Sequence, residues 1–297
     1  MKASSCATQP FRDTMEGLNP QILGTMRWTF DTKKSKGSKL VDDTGREFLD
    51  TFMQISSIPL GYNNDELKAA IACDDTLSMI VSRPAMGVFP PAELPNLLKP
   101  ALSIAPMGMQ YIQTLMCGSC TVENAMKSAF GFYAYNKRGG QPPGMDAHTS
   151  CMDGLAPGSP NIAALSFRGC FHGRTFGSLS LTNSKSAIKV DMPAFEWPHA
   201  PFPQLKYPLH EHERENAEEE AKCLEVTQDL FDQAEKKGQP IAAVIIEPIQ
   251  GEGGDARASD DFYRKLIDVA RDNGAVMVVD EVQTGFGATG KWWASDY

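Results

Sequence analysis

The stretch Ile241-Ala-Ala-Val-Ile-Ile246, followed by Ser259-Asp260-Asp261 and then Gly274-Ala-Val-Met-Val-Val279-Asp280, decides the fold. Ile241–Ile246 is a continuous, largely β-branched apolar run, as expected of a strand buried on both faces. Ser259 is a good helix N-cap, and the two acids behind it favour the positive end of a helix dipole. Phe262, Leu266, Ile267, Val269 and Ala270 recur at helical spacing. Gly274 stands where a helix hands over to a turn, and Ala275–Val279 reads as a second buried strand. Strand, helix and strand at this spacing predict a right-handed crossover joining two parallel strands of a doubly wound α/β sheet. In such sheets ligands bind beyond the carboxyl ends of the strands. Glu247 and Asp280 both lie there.

Outward from this unit the pattern continues. Ile162–Phe167 is another short apolar run, a buried strand. Val122, Ala125, Met126, Ala129, Phe130 and Tyr133 predict an amphipathic helix over Thr121–Lys137. The Gly/Pro-rich stretch Gly139–Pro160 reads as a surface loop. Glu211–Lys237 reads as an exposed helix, its acidic cluster a solvated face. Lys39–Val41, the turn signal Asp42-Asp43-Thr44-Gly45 and Glu47–Asp50 predict a short hairpin. Near Tyr62 the pattern changes from short strands and turns, over residues 1–61, to longer helices alternating with short apolar runs, over residues 62–297.

The 297 residues are ample for a buried core. With 28 basic and 37 acidic residues the formal charge is −9, which argues against nucleic acid or an anionic membrane as partner. No apolar run reaches the roughly 18 residues of a spanning helix. Seven cysteines, an odd number in a chain of this size, argue against a disulfide framework. Among them Cys6, Cys73, Cys151, Cys170 and Cys223 have no sequence partner and read as structural. His148, His199, His210 and His212 show no ligand spacing.

An apolar strand running into Asp280-Glu281 invites a nucleotide-hydrolase reading, and Gly285-Phe-Gly-Ala-Thr-Gly290-Lys291 almost completes a phosphate loop. But Trp292 stands where the magnesium-binding hydroxyl belongs, and the glycines follow the acidic strand instead of opening the first unit. A second reading fits more of the neighbourhood. Pyridoxal phosphate needs a carboxylate against its ring nitrogen, helix N-terminal amides for its phosphate, and an apolar side chain on its ring face. Asp280, the Gly118-Ser119 pair before the long helix, and Phe171 after the Ile162–Phe167 strand are candidates. Gln283 is a candidate donor to the ring oxygen. Singly, each has a plainer reading as a cap, a packing residue or a structural acid.

Taken in order, Phe171-His172-Gly173-Arg174-Thr175, Glu247-Pro-Ile-Gln-Gly-Glu-Gly-Gly254 and Asp280-Glu-Val-Gln-Thr-Gly285 resemble signatures of the class III (ω-) aminotransferases. Gln54–Tyr62 and Cys117-Gly-Ser-Cys120 narrow the resemblance to the branch that uses 4-aminobutyrate. The resemblance implies a fold-type I pyridoxal-phosphate transferase, with residues 62–297 an incomplete large cofactor-binding domain built on a mostly parallel sheet and residues 1–61 the N-terminal segment of a smaller α+β domain. Amino-group transfer from 4-aminobutyrate to 2-oxoglutarate would be its reaction; ornithine, acetylornithine or β-alanine are the alternative donors. By the same resemblance Gly118 and Ser119 hold the cofactor phosphate, Phe171 and Val282 cover the two ring faces, and Gln283 contacts the ring oxygen. Asp280 pairs with the ring nitrogen. Arg174 takes the substrate carboxylate, as a guanidinium fork suits, and Ile55 lines the pocket. Glu252 and Glu247 manage charge near the substrate amino end and the cofactor.

Cys117 and Cys120 supply only half of the four ligands that a zinc or [2Fe–2S] site wants. The resemblance implies a [2Fe–2S] cluster shared between the subunits of a homodimer; two free thiols are the plainer alternative. In the family, the lysine that forms the Schiff base follows the Asp280 strand by a few tens of residues. Lys291 is too close to Asp280 for that role. The sequence therefore reads as an N-terminal portion of such an enzyme, inactive or merely dimerising as it stands. The resemblance implies the mitochondrial matrix; the first twenty residues, with Asp13 and Glu16 and no apolar block, display no transit segment, which leaves the cytoplasm as the alternative.

Overall fold

A computed structural model describes residues 29–84, 87–106 and 108–297; Cys6, Asp13 and Glu16 lie outside them. The chain divides into two compact units, one ending at Gln110 and one running Tyr111–Tyr297.

In the first unit, β1 (Lys39–Val41) and β2 (Glu47–Leu49) form the expected antiparallel hairpin. Its turn is organised by Asp42, whose side chain accepts from the Thr44 amide at 3.0 Å, the Thr44 hydroxyl at 2.7 Å and the Arg46 amide at 2.8 Å. Helices α1 (Asp65–Ile71), α2 (Asp74–Ser82) and α3 (Leu94–Ser103) follow. Asn64 starts α1 by accepting from the Leu67 amide.

The second unit contains α4 (Gly118–Lys137), α5 (Met145–Ser150), β3 (Ala163–Phe167), α6 (Phe176–Leu181) and β4 (His199–Ala200). It continues with α7 (Glu213–Lys236), β5 (Ile241–Ile246), α8 (Asp260–Asp272) and β6 (Val276–Val279). The four strands form one parallel sheet in the order β4-β3-β5-β6. Successive residues of β5 serve opposite faces, as the pleat requires. Ala243 and Ile245 pack with Val122, Met126 and Ala129 of α4, while Val244 and Ile246 pack with Phe231 of α7 and Phe262 and Leu266 of α8. Helices on both faces explain why β5 is apolar throughout.

Several elements depart from the sequence expectation. Helix α4 begins at Gly118 instead of Thr121, because the Cys117 sulfur caps it by accepting from the Cys120 amide at 3.5 Å. The Gly139–Pro160 loop holds the short helix α5 and a 3₁₀ turn at Cys151–Asp153. Strand β6 ends the described sheet and is only half-buried, with Val279 45% exposed. The acidic face of α7 is not wholly solvated: Glu220 is buried and accepts from both the amide and the hydroxyl of Ser259, each at 2.6 Å.

Candidate active site

Three loops converge beyond the carboxyl ends of the parallel strands: Arg168–Thr175 after β3, Glu247–Gly254 after β5, and Asp280–Gly285 after β6. Asp280 is buried, and its two oxygens are engaged differently. Oδ1 accepts from the Val282 amide at 3.0 Å, and Oδ2 lies 2.8 Å from His172 Nδ1. Burial opposes a charge on His172, but the Cys170 sulfur and the Asp280 carboxylate outweigh it and raise the imidazole to about 10. The other ring nitrogen, Nε2, is buried without a hydrogen-bond partner among the described residues. Glu247 joins the first two loops by accepting from the Phe171 amide at 3.0 Å. Its burial, opposed in part by His172 and that amide, raises its carboxyl to about 7, so it changes protonation near neutrality.

The glycines record how closely these loops approach the long helix. A Cβ on Gly118 would stand 2.7 Å from a methyl of Val282, and one on Gly251 would stand 2.5 Å from the Gln283 amide oxygen. Gly173, at φ +123°, leaves no room for a side chain: its Cβ would lie 2.4 Å from Ser119 Oγ. Ser119 Oγ accepts from the Arg174 amide at 3.1 Å. The Arg174 guanidinium leans over the Phe171 ring at 5.8 Å and makes no ion pair with a described residue.

Gly118, Ser119, Phe171, Arg174, Glu247, Asp280, Val282 and Gln283 are thus brought to one region of the second unit. Glu252, in the turn after β5, is ion-paired with Lys185. Ile55 belongs to the first unit, where it is half-exposed in a left-handed turn over Met53–Ser56. Lys291 turns away to the Asp296 carbonyl at 2.5 Å and the Tyr297 ring at 4.1 Å. Cys117 is exposed and Cys120 half-buried, both as free thiols. Among the described residues no group of three or more His, Cys, Asp and Glu side chains gathers as a metal site. His172 is the residue sequence reasoning passed over, although it stands inside the motif quoted for Phe171 and Arg174; its burial against Asp280 depends on two loops 108 residues apart.

The sequence profile of class-III aminotransferases matches residues 24–297. The chain belongs to the class-III aminotransferases. It is 48% identical over 266 residues to the mitochondrial 4-aminobutyrate aminotransferase of Homo sapiens, covering 89% of this chain and 53% of the relative. Identity to the 4-aminobutyrate aminotransferase of Dictyostelium discoideum is 47%, covering 90% of this chain and 54% of the relative. Among solved structures, the lysine aminotransferase of M. tuberculosis superposes with a TM-score of 0.74 at 29% identity, over 93% of this chain and 61% of that one. This aminotransferase chain therefore spans about half the length of the curated relatives it matches.

Pyridoxal phosphate is the cofactor the class-III family implies. The residues fit it. A buried acid backed by a protonated imidazole suits a cationic ring nitrogen, and the Gly118–Ser119 amides open a 20-residue helix, a favourable seat for a phosphate. The close approach of Gly118 to Val282 places that seat beside the acid's own loop.

Proposed function

We propose that this chain carries the greater part of the cofactor-holding domain of a 4-aminobutyrate:2-oxoglutarate aminotransferase, yielding succinate semialdehyde and glutamate. The observation that carries the substrate side is Arg174: a guanidinium beside Phe171, without an anionic partner among the described residues, in a chain 46–48% identical to enzymes named for 4-aminobutyrate. When bound, pyridoxal phosphate supplies an electron sink for the carbon that exchanges its amino group.

The following roles belong to this chain's own residues. The Gly118 and Ser119 amides hold the phosphate, and Phe171 and Val282 confine the ring. Asp280, oriented by His172 and the Val282 amide, keeps the ring nitrogen protonated. Gln283 donates to the ring oxygen. Arg174 binds the substrate carboxylate bidentately. Glu247 changes protonation near neutral pH and offsets charge as substrates alternate, and Glu252 does so at the amino end by releasing Lys185. A homodimer in mitochondria is the assembly and place this reading favours. Cys117 and Cys120 would contribute half of an iron–sulfur site completed by the same pair of a second copy. Iron and acid-labile sulfide in anaerobically purified protein support that site, and their absence sinks it.

An amino-donor screen on a full-length version of the enzyme, which carries the Schiff-base lysine, with pyridoxal phosphate and read as glutamate formation, tests the assignment. 4-Aminobutyrate should be the best donor, and Arg174→Gln should raise its KM about tenfold or more, a loss of roughly 1.4 kcal/mol. A preference for ornithine, acetylornithine or β-alanine would overturn the substrate. An unchanged KM in Arg174→Gln would overturn the anchor.

A further inference from the structure

Arg174 sits on a segment gripped from outside by one face of α4. Ser119 and Glu123, one helical turn apart, point at the same stretch of chain. Ser119 takes the Arg174 amide, as described above. Glu123 Oε1 accepts from the Thr175 hydroxyl at 2.5 Å and from the Ser178 amide at 3.0 Å. Ser178 is the third residue of α6, and its amide is one of the donors that the start of a helix leaves unsatisfied. Thr175, the N-cap of α6, makes no side-chain cap of its own. Its hydroxyl is turned to Glu123, so the cap comes from another helix. The fit is close: a Cβ on Gly177 would lie 2.4 Å from Glu123 Oε2. Glu123 has no described ion-pair partner, so these two donors are what hold its carboxylate.

We propose that Glu123 is the positioning residue for Arg174: by latching Thr175 and Ser178 to the helix that seats the cofactor phosphate, it fixes where the guanidinium meets the substrate carboxylate. The latch ties the anchor for one end of the substrate to the seat for the cofactor, so the distance between them is set by a rigid helix instead of a loop. This rests on the reading of Arg174 as the carboxylate anchor. Glu123 touches neither substrate nor cofactor. Its loss should therefore spare the phosphate seat and misplace only the arginine.

The test is equilibrium binding to the full chain of two probes, pyridoxal phosphate and glutarate, a dicarboxylate that cannot react. Amide hydrogen exchange over residues 174–178 is followed alongside. Glu123→Ala should weaken glutarate about tenfold and pyridoxal phosphate less than about threefold, and should speed exchange at Ser178. Glu123→Gln keeps an oxygen acceptor and should stay within about threefold of the native chain on both probes. Thr175→Val, which removes one donor, should lose about threefold for glutarate and serves if Glu123→Ala does not fold. The proposal is overturned by native glutarate binding in both Glu123→Ala and Thr175→Val, by equal losses for the two probes, or by a Gln variant as poor as Ala. Arg174→Gln separates the two levels. If that change leaves glutarate binding intact, the anchor reading fails, and the latch alone is then decided by exchange at Ser178: faster in Glu123→Ala supports it, unchanged overturns it.

Discussion

A buried imidazole with one nitrogen against a carboxylate and the other without a hydrogen-bond partner among the described residues is costly to assemble, so its geometry is informative. His172 is held protonated by a balance in which the Cys170 sulfur and Asp280 outweigh burial, and its Nδ1 orients the same carboxylate that the Val282 amide grips from the other side. Charge-assisted hydrogen bonds of this kind contribute about 1.5–3 kcal/mol. His172→Gln, which can still donate but carries no charge, should therefore weaken pyridoxal phosphate binding about tenfold or more, measured by equilibrium titration of the cofactor absorbance. Unchanged affinity would show that Asp280 holds its position without the imidazole. That Phe171, Arg174, Asp280 and Gln283 belong to one set of motifs was legible, because their types and order carry the pattern. The part played by His172 was not, since a histidine's partner is set by how two distant loops meet and not by its neighbours in the chain.

Elements were legible to the extent that periodicity governs them. Strands β3 and β5 and helices α4, α7 and α8 follow their apolar spacing to within a few residues. The misses have separate causes. Glycine and proline around residues 139–160 suggest only loop, yet α5 forms there. The acidic run of α7 suggests a solvated face, yet Glu220 is drawn inward because the start of α8 needs an acceptor. Ser259 gives both its amide and its hydroxyl to Glu220, while its oxygen caps the Phe262 amide at 3.2 Å. Removing that carboxylate leaves the half-buried Ser259 amide without its acceptor, which costs about 1 kcal/mol. Glu220→Ala should lower the unfolding free energy by that amount, read as a lower urea midpoint at an unchanged slope, with Glu220→Gln intermediate. An alanine variant as stable as the native chain would mean that water replaces the carboxylate.

At the scale of the whole molecule, the raised and lowered groups around the sheet combine into a pH profile of stability. A group whose pKa is raised on folding gives stability that is complete below its unfolded pKa and lost as pH rises through the folded value. His172, raised from 6.5 to about 10, loses its contribution across that interval; Glu247, raised from 4.5 to about 7, loses its own across the lower one. His199 works in the opposite sense. Burial, with the charges of Lys189, Arg168 and His172, lowers it from 6.5 to about 4 while its Nδ1 lies 2.7 Å from Ser166 Oγ. Its contribution is complete above 6.5 and lost as pH falls toward 4. Between about 4.5 and 6.5 Glu247 and His199 therefore oppose each other and the profile should be shallow. Above that range Glu247 and then His172 act alone, and stability should decline steadily toward pH 10. Thermal unfolding followed from pH 4 to 10 checks this: His172→Gln should remove most of the alkaline slope, and Glu247→Gln should let stability rise between about pH 4.5 and 6.5. A profile whose alkaline slope survives His172→Gln would place the titrating group elsewhere in the sheet's surroundings.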